Sequence, residues 1–273
     1  MEQIGATSAT SACKRTSRAW RRKPRACVGV PSRNLLLRSF GPCLEPLRGQ
    51  LRPVWLRAGQ VIYEPGDTVE RIYFPISGLI SARALLETGH QMECLLVGRT
   101  NALGAVAAVG FHSSLTRDVC LVESLAWSMS LADLHAAMRA SPTVEAQLRR
   151  FSFGEMAYAV RVGVCNAMHD AEERIARWLL IAADLLGESE VRIAQEELSN
   201  VLGLQRSAVS PALQRLKAEK VVDLSRRRIE IVDPVALERR ACECLGALRG
   251  NLRLHESPAR ARELRKGASP RGS

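Results

Sequence analysis

The chain has 273 residues, of which 47% are hydrophobic and 25% charged, and its formal net charge is +11 at pH 7. This composition is that of a globular protein with room for two modest domains, and it excludes a fibre or a chain that is disordered throughout. The longest apolar stretch, residues 102–111, is about half as long as a membrane-spanning helix, so we expect no membrane partner.

Most of the positive charge lies near the two ends of the chain. Residues 1–50 carry a net charge of +8 and residues 251–273 carry +4, whereas residues 51–250 are nearly neutral at −1. Within that neutral body, residues 205–229 combine seven basic with two acidic residues and have a local charge of +5. This local excess, rather than the total charge, indicates a contact with nucleic acid.

Residues 1–33 are rich in Ser, Thr, Ala and Arg and have no apolar periodicity. Such a segment cannot bury enough apolar surface to order itself, so we expect a disordered basic tail. An organellar transit peptide, or a start upstream of the true initiation site, fits the same composition. A second disordered basic tail is expected over residues 246–273.

Eight cysteines are spread along the chain, at positions 13, 27, 43, 94, 120, 165, 242 and 244. No pair has the C-x-x-C spacing of a metal finger, and we therefore expect no bound metal. Dispersed thiols are typical of a reduced protein, which favours a cytoplasmic location. Cys242 and Cys244 form the only tight pair, which we interpret as part of a carboxy-terminal helix.

Residues 34–140 are predicted to form an antiparallel β-roll. Short runs rich in β-branched and aromatic residues alternate there with Gly, Pro and Asn, a pattern typical of strands and tight turns. Glycine suits such turns because it adopts positive φ angles without steric penalty. The predicted strands span residues 61–63, 72–74, 79–84, 92–97, 119–122 and 125–129.

The apolar period changes to that of a helix after residue 131, and Ser141 followed by Pro142 marks the start of a long helix over 141–169. Its larger apolar residues recur at three- and four-residue intervals, a spacing that two helices can share in a dimer. The alternative is a helix packed on the core of its own domain. We expect a homodimer, with the interface residues Leu148, Phe151, Tyr158 and Val162.

Residues 170–245 contain the strongest functional pattern, two short helices joined by a tight turn. Gly203 supplies the positive φ angle that the turn needs, and Leu204 fills the gap between the helices. The second helix, predicted from Arg206 to Lys217, would fit the major groove of DNA. The apolar stripe that fixes the two helices comprises Leu198, Val201, Leu202, Val209, Leu213 and Leu216.

The exposed side of the second helix and a basic hairpin tip are the predicted DNA contacts. Arg206 begins the helix, and arginine is the side chain best shaped to bind guanine N7 and O6 together. Short strands over 221–224 and 229–232 flank three consecutive arginines, which would lie near the phosphates as a wing. Pro211 is expected to kink the helix or to make its early part irregular. The predicted contacts are Gln195, Gln205, Arg206, Ser207, Ser210, Gln214, Arg215, Arg226, Arg227 and Arg228.

Together these motifs resemble the Crp/Fnr superfamily, named after the cyclic-AMP receptor protein and the fumarate-nitrate regulator. The resemblance covers about residues 56–244 and includes Gly-Gln-Val-Ile-Tyr-Glu-Pro-Gly-Asp at 59–67, Ile-Tyr-Phe-Pro-Ile-Ser-Gly at 72–78 and Glu-Arg-Ile-Ala-Arg-Trp-Leu-Leu at 173–180. It implies an α+β fold: an amino-terminal cyclic-nucleotide-binding-like antiparallel β-roll, a long dimerisation helix and a carboxy-terminal winged helix-turn-helix.

The sequence departs from nucleotide-binding members of that superfamily at the phosphate site. Those members resemble one another in a Gly-Glu-Leu turn and a later Arg-Ser pair, whereas this chain has Gly104-Ala105-Val106 and Ser114-Leu115. A buried phosphodiester needs a charged donor, so we do not expect cyclic AMP to bind. Gly104, Ala105 and Ser114 are the predicted residues of an effector pocket.

No metal cofactor is expected from the resemblance either. Oxygen-sensing members hold an iron-sulphur cluster on closely spaced amino-terminal cysteines, but Cys13, Cys27 and Cys43 are 14 and 16 residues apart. The single histidines at 90, 112 and 135 do not indicate a haem site.

The sequence therefore predicts a homodimeric, sequence-specific transcriptional regulator that binds a near-palindromic double-stranded DNA operator. Contact with RNA polymerase is implied by the resemblance. No enzyme is expected, since the sequence offers no nucleophile–base pair or phosphate loop. The alternative is a ligand- or redox-sensing or scaffold protein of the same fold that has lost specific DNA binding.

Overall fold

The structure, a computed structural model, describes residues 33–253. The tail predicted over 1–33 lies outside the described residues except for Arg33, as do Cys13, Cys27 and residues 254–273. Within the described part of the chain, no helix combines the length and the apolar character needed to cross a membrane.

A short helical segment precedes the roll and is anchored to it. Helix α1 (Leu35–Ser39) is followed by a 3-10 helix (Gly41–Leu47). The buried amide of Asn34 donates to Pro75 O at 2.9 Å and to Asn101 O at 2.8 Å, while its Oδ1 accepts from the backbone N–H of Leu37. Asn34 thereby caps α1 and ties it to two separate points of the roll.

Two antiparallel sheets form the predicted β-roll. One sheet has the strand order β1-β7-β3 and the other β2-β6-β4-β5. All six predicted strands are confirmed, with ends shifted by no more than a few residues. The strands are β1 (Arg52–Leu56), β2 (Val61–Tyr63), β3 (Arg71–Pro75), β4 (Leu79–Leu85), β5 (Gln91–Val97), β6 (Arg117–Val122) and β7 (Ser124–Ser130).

Glycine is required at the turn between β3 and β4. Gly78 has a φ angle of +73°, and a Cβ atom at this position would lie 2.3 Å from Glu123 O. A larger residue would therefore push the turn away from the loop between β6 and β7. The core between the sheets includes fully buried Ile72, Phe74 and Ile80.

Two helices follow the roll. Helix α2 (Leu131–Ala140) is capped by Ser130, and α3 (Pro142–Met168) is capped by Ser141, whose hydroxyl accepts from the backbone N–H of Val144. The predicted long helix is confirmed. Proline in its first turn costs no hydrogen bond, because the first N–H groups of a helix have no partner within it.

The four residues predicted at a dimer interface point into the chain's own core. Leu148 and Phe151 are buried in the core of the roll, and Tyr158 and Val162 are buried in the core of the carboxy-terminal domain. The prediction is wrong for these residues, and the alternative of a helix packed on its own chain is correct for this face. The long helix carries two apolar stripes, and periodicity alone does not show which one faces the core.

The carboxy-terminal domain is a winged helix-turn-helix, as predicted. Helix α4 begins with a capping box between Asp170 and Glu173. A small antiparallel sheet with the order β8-β10-β9 lies beside the helices. The elements are α4 (Ala171–Leu186), β8 (Glu190–Val191), α5 (Gln195–Leu202), α6 (Arg206–Ala218), β9 (Val222–Ser225) and β10 (Arg228–Ile231).

Two further helices, α7 (Pro234–Arg240) and α8 (Cys244–Leu252), close the domain. The predicted tail over 246–273 therefore begins too early. Leu245, Leu248 and Leu252 are buried and belong to the same core as α4. The basic composition predicted a tail, but these leucines recur at helical spacing and provide enough apolar surface for α8 to pack against the core of the domain.

Candidate functional site

The helix-turn-helix is held by the residues that the sequence indicates. Gly203 ends α5 with a φ angle of +60°, and the N–H of Leu204 donates to Ser199 O at 3.0 Å across the turn. The six residues of the predicted apolar stripe are all buried. The orientation of α6 against α5 is thus fixed by packing, independently of any ligand.

The predicted contact residues of α6 lie on its exposed side. Arg206, Ser207, Ser210 and Gln214 are exposed at positions that bring them to one face of the helix, with Gln205 just before it. Arg215 and, at the start of α5, Gln195 are exposed as well. This arrangement presents hydrogen-bonding side chains of the kind that read base edges or bind phosphates.

Pro211 does not interrupt α6, which is continuous from Arg206 to Ala218. Because proline has no N–H, the carbonyl of Ser207 loses its usual partner four residues on, at a cost of about 3 kcal/mol. Pro211 is on the exposed side, where water can satisfy that carbonyl. Proline therefore removes one potential hydrogen bond of α6 without ending the helix.

Several cations near α6 are paired with acids of the same chain. Arg206 forms an ion pair with Glu196 at the start of α5. Arg215 Nε lies 2.8 Å from Glu172 Oε2, at the first turn of α4. Since both arginines are more than half exposed, these pairs are weak and can exchange for contacts to another anion.

The wing is a hairpin with a two-residue turn. Ser225 of β9 pairs with Arg228 of β10, which leaves Arg226 and Arg227 at the exposed tip. Arg227 has a φ angle of +57°, a conformation that costs a non-glycine residue roughly 1–2 kcal/mol. Among the described residues neither tip arginine forms an ion pair, whereas Arg228 binds Glu190 and Glu230. Two unpaired cations therefore project at the tip.

A cavity of about 750 Å³ lies between the roll and α3. Of the residues predicted for an effector pocket, Gly104 and Ser114 line this cavity. Ala105 does not, because it is buried in the 3-10 helix Ala105–Val109. The lining is mostly apolar. The hydroxyl of Ser114 donates to Thr116 O at 2.8 Å and is already engaged within the protein.

Two carboxyl groups face this cavity. Burial raises the pKa of Asp118 to about 7, although Thr116 Oγ1 donates to it at 2.7 Å. Burial also raises the pKa of Glu155 well above its ordinary value, and the nearby Asp118 raises it further. Among the described lining residues Arg149 is the only cation, and it donates to Glu145 at 2.8 and 3.0 Å. The described lining therefore offers no unpaired cation to a bound anion.

The structure brings together one cluster that the sequence reasoning missed. Cys165, His169, Cys242 and Cys244 place their ligand atoms within 4.8 Å of one another. The available signals were a Cys-x-x-x-His pair at the end of one helix and a Cys-x-Cys pair. The two pairs lie more than 70 residues apart in sequence, and neither pair has the spacing of a metal finger.

The fold and the helix-turn-helix define a class of protein: a regulator in which a cyclic-nucleotide-binding-type roll is joined by a long helix to a winged DNA-binding domain. A family model described as a cyclic nucleotide-binding domain matches residues 53–141, and one described as a Crp-like helix-turn-helix domain matches residues 173–240. The chain belongs to the Crp/Fnr superfamily of transcriptional regulators.

Curated relatives and solved structures agree with this assignment. The global nitrogen regulator of Nostoc sp. is 20% identical, over 66% of this chain and 85% of that protein. A CRP-like cAMP-activated global transcriptional regulator of Mycobacterium tuberculosis is 24% identical, over 72% of this chain and 92% of that protein. The structure of FixK2 from Bradyrhizobium japonicum matches the fold with a TM-score of 0.63, at 18% identity, over 70% of this chain and 98% of that one.

Proposed function

We propose that the protein is a homodimeric regulator that binds a near-palindromic DNA operator with α6. The observation that carries the proposal is the polar, exposed face of a helix that packing fixes in place, with Arg206 at its amino-terminal end. Such a face fits the major groove, and Arg226 and Arg227 at the wing tip suit the phosphates. Contact with RNA polymerase, implied by family resemblance, stays a prediction.

The dimer surface that we propose is the exposed apolar face of α3, in place of the residues first predicted. Phe153, Met156, Val160 and Val164 follow one another at intervals of three or four residues, and Phe153 and Val160 are 67% and 64% exposed. A helical stripe of this spacing pairs with a second copy of itself. Pairing around a twofold axis would bring two α6 helices to successive major grooves, about 34 Å apart.

Analytical ultracentrifugation of the full chain tests the dimer. Val160→Glu places a charge in the proposed seam, and we expect it to convert a dimer into a monomer. Val235→Glu is the matched control, because Val235 is equally exposed but lies on α7. A dimer that survives Val160→Glu unchanged would contradict the proposed surface.

Selection of binding sites from random duplexes tests sequence-specific DNA binding. We expect enrichment of an inverted repeat, with affinity for it that falls steeply as salt rises, because phosphate contacts release counterions. Recovery of no sequence above the non-specific background at low salt would favour the alternative function, a sensing or scaffold protein of the same fold. The ion pair between Arg206 and Glu196 is the observation that favours this alternative function.

We further propose that cyclic AMP does not control the protein. The cavity at the position of the effector pocket offers an arginine engaged with Glu145 and two carboxyl groups, Asp118 and Glu155. A cyclic phosphate buried there would lack a free charged donor. Isothermal titration of the full chain with cyclic AMP should give no saturable heat, whereas micromolar binding would contradict this part of the proposal.

A further inference from the structure

Two segments that are distant in sequence meet at the end of α3. Cys165 lies in the last turn of α3, and His169 is the residue that caps this helix, with its backbone N–H donating to Cys165 O at 3.1 Å. Cys242 and Cys244 come from the link between α7 and the start of α8. The three thiols are buried and the imidazole is half-buried.

The spacing of these four groups fits a tetrahedral metal ion. Cys165 Sγ lies 3.5 Å from Cys242 Sγ, and Cys244 Sγ lies 3.8 Å from His169 Nδ1. Ligands bound to zinc at about 2.3 Å for sulfur and 2.0 Å for nitrogen would be about 3.5–3.8 Å from one another. The full set spans 4.8 Å, so small side-chain movements would complete the tetrahedron.

The side chain that orients the histidine is already in place. Glu243, between the two cysteines, accepts a hydrogen bond from His169 Nε2 at 3.0 Å. A proton held at Nε2 leaves the lone pair of Nδ1 directed at the thiols. Carboxylates commonly fix the tautomer of a metal-binding histidine in this way.

Buried positive charge lies beside the cluster. Arg174 and Arg177 on α4 are buried, and both interact electrostatically with Cys165. The buried Nε atoms of these two arginines have no hydrogen-bond partner among the described residues. Three thiolates and one histidine around a divalent ion carry one net negative charge, which these guanidinium groups would offset.

We propose that Cys165, His169, Cys242 and Cys244 form a structural zinc site that ties the start of α8 to the end of α3. Thiolate and imidazole ligands select zinc over magnesium or calcium. Four protein ligands leave no open position, which is the property of a structural rather than a catalytic site. The ion would fix the carboxy-terminal end of α3 at the point where the chain turns into α4. The earlier expectation of no bound metal is replaced by this proposal.

Metal analysis of the full chain tests the site. The protein is expressed in zinc-supplemented medium, purified under reducing conditions without chelators, and measured by native mass spectrometry and elemental analysis. We expect one zinc ion per chain, and a cobalt-substituted protein with the intense visible absorption of tetrahedral cobalt and a thiolate-to-cobalt charge-transfer band. An octahedral cobalt spectrum, or no stoichiometric zinc in the folded protein, would overturn the proposal.

Variants separate this site from adventitious binding. Cys242→Ser and His169→Ala should lose most of the zinc, whereas Cys94→Ser, a half-buried thiol on β5, should keep it. If the cluster variants do not fold, the cobalt spectrum of the unaltered chain still shows whether a tetrahedral thiolate site is present. Equal zinc content in Cys242→Ser and Cys94→Ser, or an intact Cys165–Cys242 disulfide in protein purified anaerobically, would show that the cluster is not a metal site.

Discussion

The indole Nε1 of Trp178 donates a hydrogen bond to Glu93 Oε1 at 2.8 Å, and this contact joins α4 of the DNA-binding domain to β5 of the roll. Both groups are buried, and Ser81 Oγ donates to the other carboxyl oxygen at 2.6 Å. Nearby, Arg83 of the roll forms an ion pair with Glu197 of α5. The two domains are therefore linked by two polar contacts, each with at least one buried partner.

Replacing Trp178 with Phe should destabilise the chain. The substitution removes the indole donor and leaves a buried carboxyl oxygen without its partner, at a cost of about 1–3 kcal/mol. Urea unfolding at constant pH measures the change. Trp55→Phe is the matched control, because Trp55 also donates to a carboxylate, Glu123, but at the surface, and should cost less than about 0.5 kcal/mol. Equal losses of unfolding free energy for the two variants would show that the buried contact with Glu93 contributes no more than the surface contact with Glu123.

The cavity carboxyl of Asp118 should make stability fall as the pH rises. Its pKa is about 7 in the folded protein against an ordinary value of 3.8, because burial disfavours the charged form. The protonated group therefore stabilises the folded state fully below about pH 4, and this contribution is lost as the pH rises through 7. At roughly 1.4 kcal/mol for each pKa unit, the loss is at most about 4 kcal/mol.

Asp118→Asn should remove this part of the pH dependence, because the amide has a similar shape and does not ionise. The free energy of unfolding, measured from pH 4 to pH 8, should decline less in the variant than in the unaltered chain. Glu87→Gln, at an exposed site, should leave the profile as it is. Parallel profiles for Asp118→Asn and the unaltered chain would refute the assignment.

Arg206 and Arg227 should affect DNA binding in different ways. Arg206→Ala should remove about 1–3 kcal/mol of discrimination at one base position, because it deletes the proposed base contact. Arg227→Ala should weaken binding to all sequences alike and lower the salt slope by about 1, as expected for a lost phosphate contact. Titration of selected and scrambled duplexes at several salt concentrations measures both. Arg48→Ala, at an exposed position in the segment before the roll, serves as the control. An unchanged operator preference in Arg206→Ala would exclude its role as a reader.

Glu196 should restrain Arg206 in the free protein. Glu196→Gln breaks their ion pair and removes a negative charge near the proposed DNA-binding face, so operator affinity should increase. An exposed pair of this kind contributes about 0.2–1 kcal/mol. The double variant with Arg206→Ala separates the two effects. If the gain from Glu196→Gln is the same with and without Arg206, it comes from general electrostatics and not from release of the arginine.

Local features of the chain account for what the sequence predicted well. The turn at Gly203 and the apolar stripe of α5 and α6 depend on residues within one or two turns of one another, and the structure confirms them. The prediction of an interface on α3 depended on a choice between two apolar stripes. Phe151 and Phe153 differ by two positions, yet only the first is buried, because the roll packs on that side. To predict the cysteine cluster, one would have to know that residues 165 and 242 are in contact, and the periodicity of the sequence does not show this.

Helix α3 belongs to two cores at once. Its first half fills the interior of the roll through Leu148, and its second half fills the interior of the carboxy-terminal domain through Tyr158 and Val162. A fragment cut at the boundary between the domains would leave one of these interiors open to water. Separate expression of either half should therefore give an aggregation-prone chain unless the fragment includes all of α3, so the domains divide by function but not as folding units.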